Sequence, residues 1–310
     1  MRGLRDLVRT SSVARLVRTL MQTQAQVERL QLAVGRLEGL VRAREGGGFN
    51  AHEYGVFSQW GEDGLIGYLA ARVPIERPWF VEFGVEDYRE ANTRFLLMTQ
   101  NWRGLVLDGS EAHIRAIKAD AISWRHELTA RCAFVTRDNI NGLLQDSGFT
   151  GDIGLLSVDI DGNDYWVWEA IEVVSPRIVV VEYNSLFGPT HAVTVPYDQG
   201  FVRAHKHHSH LYYGASIAAL ARLGARKHYA LVGSNAAGNN AFFVREDVLG
   251  KLTPVAPAAA YRRAAFREGR DAGGELTFDD FPARVRAIEH LSVHDLEHGR
   301  DVAISSLCLR

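Results

Sequence analysis

The stretch Leu155-Leu156-Ser157-Val158-Asp159-Ile160-Asp161-Gly162-Asn163-Asp164 begins as an apolar strand and ends abruptly in carboxylates. A core strand that delivers charge at its C-terminal end is how open α/β sheets present a ligand site. The same pattern recurs to either side. Trp79-Phe80-Val81-Glu82-Phe83 reads as a short strand stopping at Gly84, and Gly104-Leu105-Val106-Leu107 as a second, stopping at Asp108. Cys132-Ala133-Phe134-Val135 reads as a third, with Asp138-Asn139 just beyond. Ile153 to Val158 is the fourth, and Arg177 to Val181 the fifth, ending at Glu182-Tyr183-Asn184.

Helical segments separate these strands. One starts near Glu90-Ala91-Asn92-Thr93, one runs from Glu111 to Ala121 behind the N-cap Ser110, and one runs from Asp164 to Ile171. His228 to Val232 and Ala241 to Val244, flanking the Gly/Asn-rich turn Gly233 to Asn240, close the sheet as a hairpin. The expected fold is α/β: a Rossmann-like, doubly wound, mostly parallel seven-stranded sheet, preceded by an N-terminal coiled-coil helix. In that helix Val13, Leu16, Leu20, Thr23, Val27, Leu30, Val34, Leu37 and Val41 alternate steps of three and four. Mostly β-branched residues at a and Leu at d favour a parallel two-stranded coil, with Thr23 its weak position. The expected organisation is a helix over 1–45, a linker over 46–54 built on Gly46-Gly47-Gly48, an α/β domain over 55–250, and a charged, weakly patterned extension over 251–310, read as peripheral helices and tail.

A formal net charge of -2 gives no field for nucleic acid. The two cysteines, Cys132 and Cys308, lack metal-ligand spacing and suit a reducing compartment. No apolar run approaches the roughly 20 residues of a membrane span, and no secretory leader is visible. The expected location is the cytoplasm. The basic residues Arg2, Arg5, Arg9, Arg15 and Arg18 allow at most peripheral contact with an anionic membrane, and a solvated helix face explains them as well.

The five strand-end acids line one edge of the sheet. Gly84 lets a ligand approach the backbone closely. No G-x-G-x-x-G is present, and the density of acids disfavours a dinucleotide phosphate. A cationic ligand without phosphates fits better. Asp108 is placed to accept from two ribose hydroxyls. These requirements match S-adenosyl-L-methionine.

The runs Ser58-Gln59-Trp60-Gly61-Glu62-Asp63, Val81-Glu82-Phe83-Gly84, Leu156 to Gly162 and Asn239-Asn240-Ala241-Phe242-Phe243-Val244 resemble the FkbM-like group of class I S-adenosylmethionine-dependent methyltransferases. The similarity covers roughly residues 55 to 247; the first motif retains only Gly84 of the usual glycines. The resemblance implies methyl transfer, often to oxygen, on sugars, glycans or natural products. It implies Glu82 and Gly84 beside the methionine part of the cofactor, Asp108 on the ribose and Asp138 on the adenine amine, with Gln59, Thr93, Gly109, Ser110 and Asp159 completing the cofactor set.

A sugar hydroxyl needs a base or a Lewis acid to become nucleophilic. Asp159, Asp161, Glu182 and Asn184 offer hard oxygen ligands for Mg²⁺ or another divalent cation, in an arrangement that looks like metal-dependent O-methyltransferases. The plainer reading of Asp161 to Asp164 is a turn with an N-cap. Base candidates are His191 and the cluster His205, His207, His208 and His210, with His210 foremost; Asp161 is a further catalytic candidate. Trp60, Tyr212 and Tyr213 offer flat surfaces to a sugar, whereas Trp166 and Trp168 read as core. The loop Gly233 to Asn240 either covers the site or only turns the chain. Two rivals remain: a non-catalytic scaffold organised by the coiled coil, and a nucleotide-sugar transferase using Asp159-Ile160-Asp161 on a metal-diphosphate.

Overall fold

In the computed structural model, which describes residues 12–307 and 309, the strand that ends at Val158 is central. β1 (Trp79–Phe83), β2 (Arg103–Asp108), β3 (Leu128–Cys132), β4 (Gly151–Val158), β5 (Val174–Glu182), β7 (Tyr229–Ser234) and β8 (Asn240–Arg245) form one sheet in the order β3-β2-β1-β4-β5-β8-β7. Neighbours from β3 to β5 run parallel; β8 is antiparallel to β5 and to β7. The mostly parallel Rossmann-like sheet is therefore present. Successive side chains on a strand face opposite ways, so a sheet covered on both faces needs uninterrupted apolar strands. Leu156 and Val179 pack into one apolar layer with Trp168 and Leu220, while Leu155 and Val180 pack into the other with Leu65 and Leu97. The strand order reverses between β1 and β4, which opens a crevice at their C-terminal ends.

Two sequence expectations change. β3 ends at Cys132, where the apolar run Cys132 to Val135 suggested that it would begin. The run instead leaves the sheet and turns toward the crevice. The C-terminal extension is also better ordered than its charge suggested. It contains the helix Phe281–Ile288, and its hairpin of β9 (Ser292–Asp295) and β10 (Arg300–Ala303) joins β6 (Val193–Thr194) in a three-stranded sheet. A third apolar cluster, including Phe187, Leu211, Ile288 and Val293, fixes it beside the end of β5.

The N-terminal helix spans Ser12–Glu45 and stops at Gly46 and Gly47, both with positive φ. Arg2, Arg5, Arg9 and Cys308 lie outside the described residues. Among the described residues, no helix is long and apolar enough to cross a membrane.

Candidate active site

A cavity of about 730 Å³ occupies the crevice. Its rim is built first by the Ser58–Asp63 turn. Asp63 Oδ2 accepts from the backbone N–H groups of Val56, Phe57 and Ser58, each at 2.7 Å, which winds the chain around one carboxylate. Glu62 accepts from Trp60 N at 2.9 Å, Asn235 Nδ2 at 2.6 Å and Asn240 Nδ2 at 2.9 Å. Gln59 and Trp60 are thereby presented on the wall, with Trp60 stacked on Phe266 at 5.4 Å and 14°. Asn235 Oδ1 in turn accepts from the N–H groups of Gly238, Asn239 and Asn240. The Gly233 to Asn240 loop is thus a buried, bonded turn that forms a wall of the site.

At β1, Glu82 accepts from Asn92 N at 2.8 Å, Thr93 N at 3.1 Å and Thr93 Oγ1. Burial nonetheless pushes its carboxyl up to about 7, because three hydrogen bonds do not replace full hydration. Gly84 follows at φ 71°, and a Cβ there would lie 1.8 Å from the Asp159 carbonyl oxygen. Only glycine lets β1 and β4 end this close together. At β2, Asp108 accepts from Glu86 N at 2.8 Å and Ser110 N at 2.7 Å, and its Oδ1 lies 3.1 Å from His113 Nδ1. Two backbone amides thus fix the carboxylate on the wall, and its remaining lone pairs can accept from a ligand.

The opening stretch supplies the acid end. Asp164 accepts from Ile160 N at 2.8 Å and Gly162 N at 2.9 Å, closing the turn on itself; burial raises its carboxyl to about 6. This clamp holds Asp161 at φ 58°, in the left-handed region that Asp tolerates. Carboxylate oxygens of Asp159, Asp161 and Glu182 lie within 4.8 Å of one another. Burial, then repulsion from Asp161, pushes Asp159 well above the carboxylate range; burial, then Asp159, does the same to Glu182. Glu182 Oε2 is buried with no hydrogen-bond partner among the described residues. An orphaned carboxylate oxygen beside two more acids is costly unless a cation or protons occupy the gap.

Asp161 is partly compensated by Arg203, whose Nη1 lies 2.6 Å from Asp161 Oδ1. Arg203 also donates to the His210 carbonyl at 2.6 Å, pairs with Glu268 and lies over the Tyr213 ring at 3.8 Å. Arg203, Phe266 and Glu268 are among the lining residues that sequence reasoning missed. No local motif marks Arg203, which lies far from Asp161 in the chain. Phe266 and Glu268 sit in the extension read as peripheral.

Of the sequence candidates, Gln59, Glu82, Gly84, Asp108, Gly109, Asp159, Asp161 and Glu182 line this one cavity. His210 lines an adjoining cavity that shares Asp161, Arg203 and Glu268, and burial lowers its imidazole pKa. His205, His207 and His208 line neither cavity, and five further candidates are placed elsewhere. Thr93 is fully buried behind the wall, holding Glu82. Ser110 turns its hydroxyl to cap the helix Glu111–Ala119. Asp138 is carried past the rim by the early end of β3 and accepts from Tyr197 Oη at 2.9 Å. Asn184 is excluded from the acid cluster by its own bonds: its Nδ2 donates to the Leu211 and Tyr213 carbonyls and its Oδ1 accepts from Leu186 N. His191 is exposed outside the cavity, beside Ser216. Tyr212 and Tyr213 are buried, like Trp168, and offer no open face.

No protein-family model matches the chain, and no curated protein matches it. Among solved structures it is similar to an S-adenosylmethionine-dependent methyltransferase from Clostridium acetobutylicum ATCC 824, at 11% identity and a TM-score of 0.31, over 44% of this chain and 56% of that one. It is similar to the N-terminal domain of EvdMO1 with SAH bound, at 10% identity and a TM-score of 0.39, over 59% and 79% of the two chains. It is also similar to the O-methyltransferase from Bacillus cereus in complex with SAH, at 13% identity and a TM-score of 0.39, over 69% and 88%. The chain spans little more than half the length of the first of these. At such TM-scores the residues of the site, rather than the likeness, must decide its chemistry.

Proposed function

We propose that this cavity binds S-adenosyl-L-methionine and transfers its methyl group to a hydroxyl of a sugar, glycan or similarly polyhydroxylated acceptor, with a divalent cation held by Asp159, Asp161 and Glu182. The observation that carries this reading is one cavity with Asp108 toward one end and the orphaned Glu182 oxygen toward the other. Its volume suits a small ligand of cofactor size.

The residues divide the work. Asp108 accepts the ribose hydroxyls, while Leu107, Ala133, Phe134 and Val135 give the adenine an apolar slot. Gly84 lets the methionine part lie against the backbone. The acids of the wall, among them Glu82, Glu86 and Glu90, favour a sulfonium over a phosphate. Three carboxylates are hard ligands suited to Mg²⁺ or Mn²⁺, and such a cation lowers the pKa of a bound hydroxyl. Asp164 holds the turn that aims two of these ligands, and Arg203 holds Asp161. Trp60 stacked on Phe266 offers a flat face for a sugar ring. His210, in the adjoining cavity and with its imidazole pKa lowered by burial, is the base that takes the hydroxyl proton. Holding the hydroxyl in line with the methyl supplies the remaining catalysis. The FkbM-like reading gains support from Glu62, which ties the Ser58–Asp63 segment directly to Asn240 of the resembling run Asn239 to Val244.

The test is a panel of acceptor glycans incubated with isotopically labelled cofactor and read by mass. A labelled methyl on oxygen of one acceptor class is expected. Binding of a nucleotide sugar with Mn²⁺, with no affinity for S-adenosylmethionine, would assign the acids to glycosyl transfer instead.

A further inference from the structure

The helix Ser12–Glu45 has two faces, and its own chain uses one of them. Toward the α/β domain, Glu28 pairs with Arg94 at 2.7 Å and Arg42 donates to the Ala51 carbonyl at 2.8 Å. Gly35 packs on Val56 and Phe95, and Gly39 on Tyr54; a Cβ at Gly35 would come within 2.4 Å of Val56 Cγ2. In the heptad defined by the apolar steps these residues occupy positions b and f, the outer side of a coiled coil. The a and d residues Leu16, Leu20, Val27, Leu30, Val34, Leu37 and Val41 face away and are 48–65% exposed.

We infer that a second copy of this chain covers that stripe, in a parallel two-stranded coiled coil that carries one catalytic domain on the outside of each helix. Three observations select this occupant. A stripe confined mainly to a and d is the narrow seam of a coiled coil, whereas a helix lying on a membrane needs a broader apolar face. Valine at a (Val27, Val34, Val41) with leucine at d (Leu16, Leu30, Leu37) selects two parallel strands. The e and g positions are mostly uncharged, among them Gln24, Gln26 and Gln31, and the e residue Glu38 is paired with Arg42 of its own helix. The docking on b and f leaves the seam unobstructed. At 1.5 Å per residue the 34-residue helix is about 51 Å long, and the seam runs N-terminally past the docking contacts to Leu16.

Light scattering of the full chain should give twice the 34.5 kDa of one chain. Leu30→Glu with Leu37→Glu should halve that mass while circular dichroism stays unchanged, because both residues are remote from the docking face. Arg36→Ala, on the outer surface, should remain dimeric. In a Cys132→Ser, Cys308→Ser background, Leu37→Cys should give a covalent dimer on mild oxidation, since d meets d only in parallel register. A monomeric full chain, a dimer that survives the double substitution, or no cross-link at position 37 would each overturn the inference. A monomer that sediments with anionic vesicles would assign the stripe to lipid instead.

Discussion

β4 and β5 carry charge at both ends, and the two ends treat it in opposite ways. At the N-terminal end, Asp152 of β4 faces Arg177 of β5: Arg177 Nε donates to Asp152 Oδ2 at 2.9 Å, and Arg245 Nη1 lies 3.1 Å from Oδ1. The guanidinium of Arg177 holds the Asp152 carboxyl below its ordinary value. At the C-terminal end, Asp159, just beyond β4, faces Glu182 of β5, like charge against like, and both carboxyls are pushed up. One strand pair thus holds a charge-balanced end and an end left unbalanced. An arrangement that opposes folding persists where it serves a ligand. The contrast supports the proposed site at the second end.

The largest effect expected from breaking this contrast is on turnover. Glu182→Gln should lower it by about 100-fold or more, the scale of losing activation of a reacting hydroxyl. Affinity for S-adenosylmethionine should stay near wild type in calorimetry, and the cation-free protein should unfold at higher denaturant. Full turnover in this variant, or in EDTA, would remove the cation from the account.

Next in size is pH. The folded-state pKa of Glu82 is raised to about 7 from an ordinary 4.5, so its contribution to stability is present below about pH 4.5 and lost as pH rises through 7. The loss amounts to about 3 kcal/mol. Asp152, held low, has the opposite sign: its contribution is present above the unfolded value near 3.8 and is lost as pH falls through its depressed pKa. Urea unfolding at pH 5 and pH 8 should therefore show a decline toward pH 8 that Glu82→Gln flattens. A slope unaltered by that substitution would show that Glu82 is not its source.

Asp152→Asn should destabilise by about 1–2 kcal/mol, since solvent screens the half-exposed Asp152 while Arg177 stays buried. Turnover per folded molecule should not change. A loss of catalysis instead would mean that the two ends are not independent. Smallest is Asp108→Ala, expected to weaken cofactor binding about 10-fold, or about 1.4 kcal/mol. Unchanged affinity in the same calorimetric titration would remove Asp108 from the ribose.

The sheet was legible because buried parallel strands are continuous apolar runs, and β1, β2, β4 and β5 have no other reading. β3 was misplaced because Cys132 to Val135 is apolar for a different reason: Ala133, Phe134 and Val135 line the cavity. A sequence does not say whether an apolar run faces a core or a ligand. The acid cluster was legible from strand ends alone, except for Asn184. Its type fits a metal ligand, but its amide is consumed by the Leu211 and Tyr213 carbonyls from a distant loop. Thr93, expected in the cofactor set, is turned behind the wall at the start of the helix Arg94–Gln100, where it holds Glu82. Arg203 and Phe266 reach the site only through tertiary packing, with no local spacing to mark them.

The central claim is that the cavity between Asp108 and Glu182 holds S-adenosyl-L-methionine. Isothermal calorimetry of the full chain with that ligand tests it most directly. Saturable one-to-one binding is predicted in wild type and in Glu182→Gln alike, with Mg²⁺ heats only in wild type. No binding of S-adenosyl-L-methionine at millimolar concentration would contradict it.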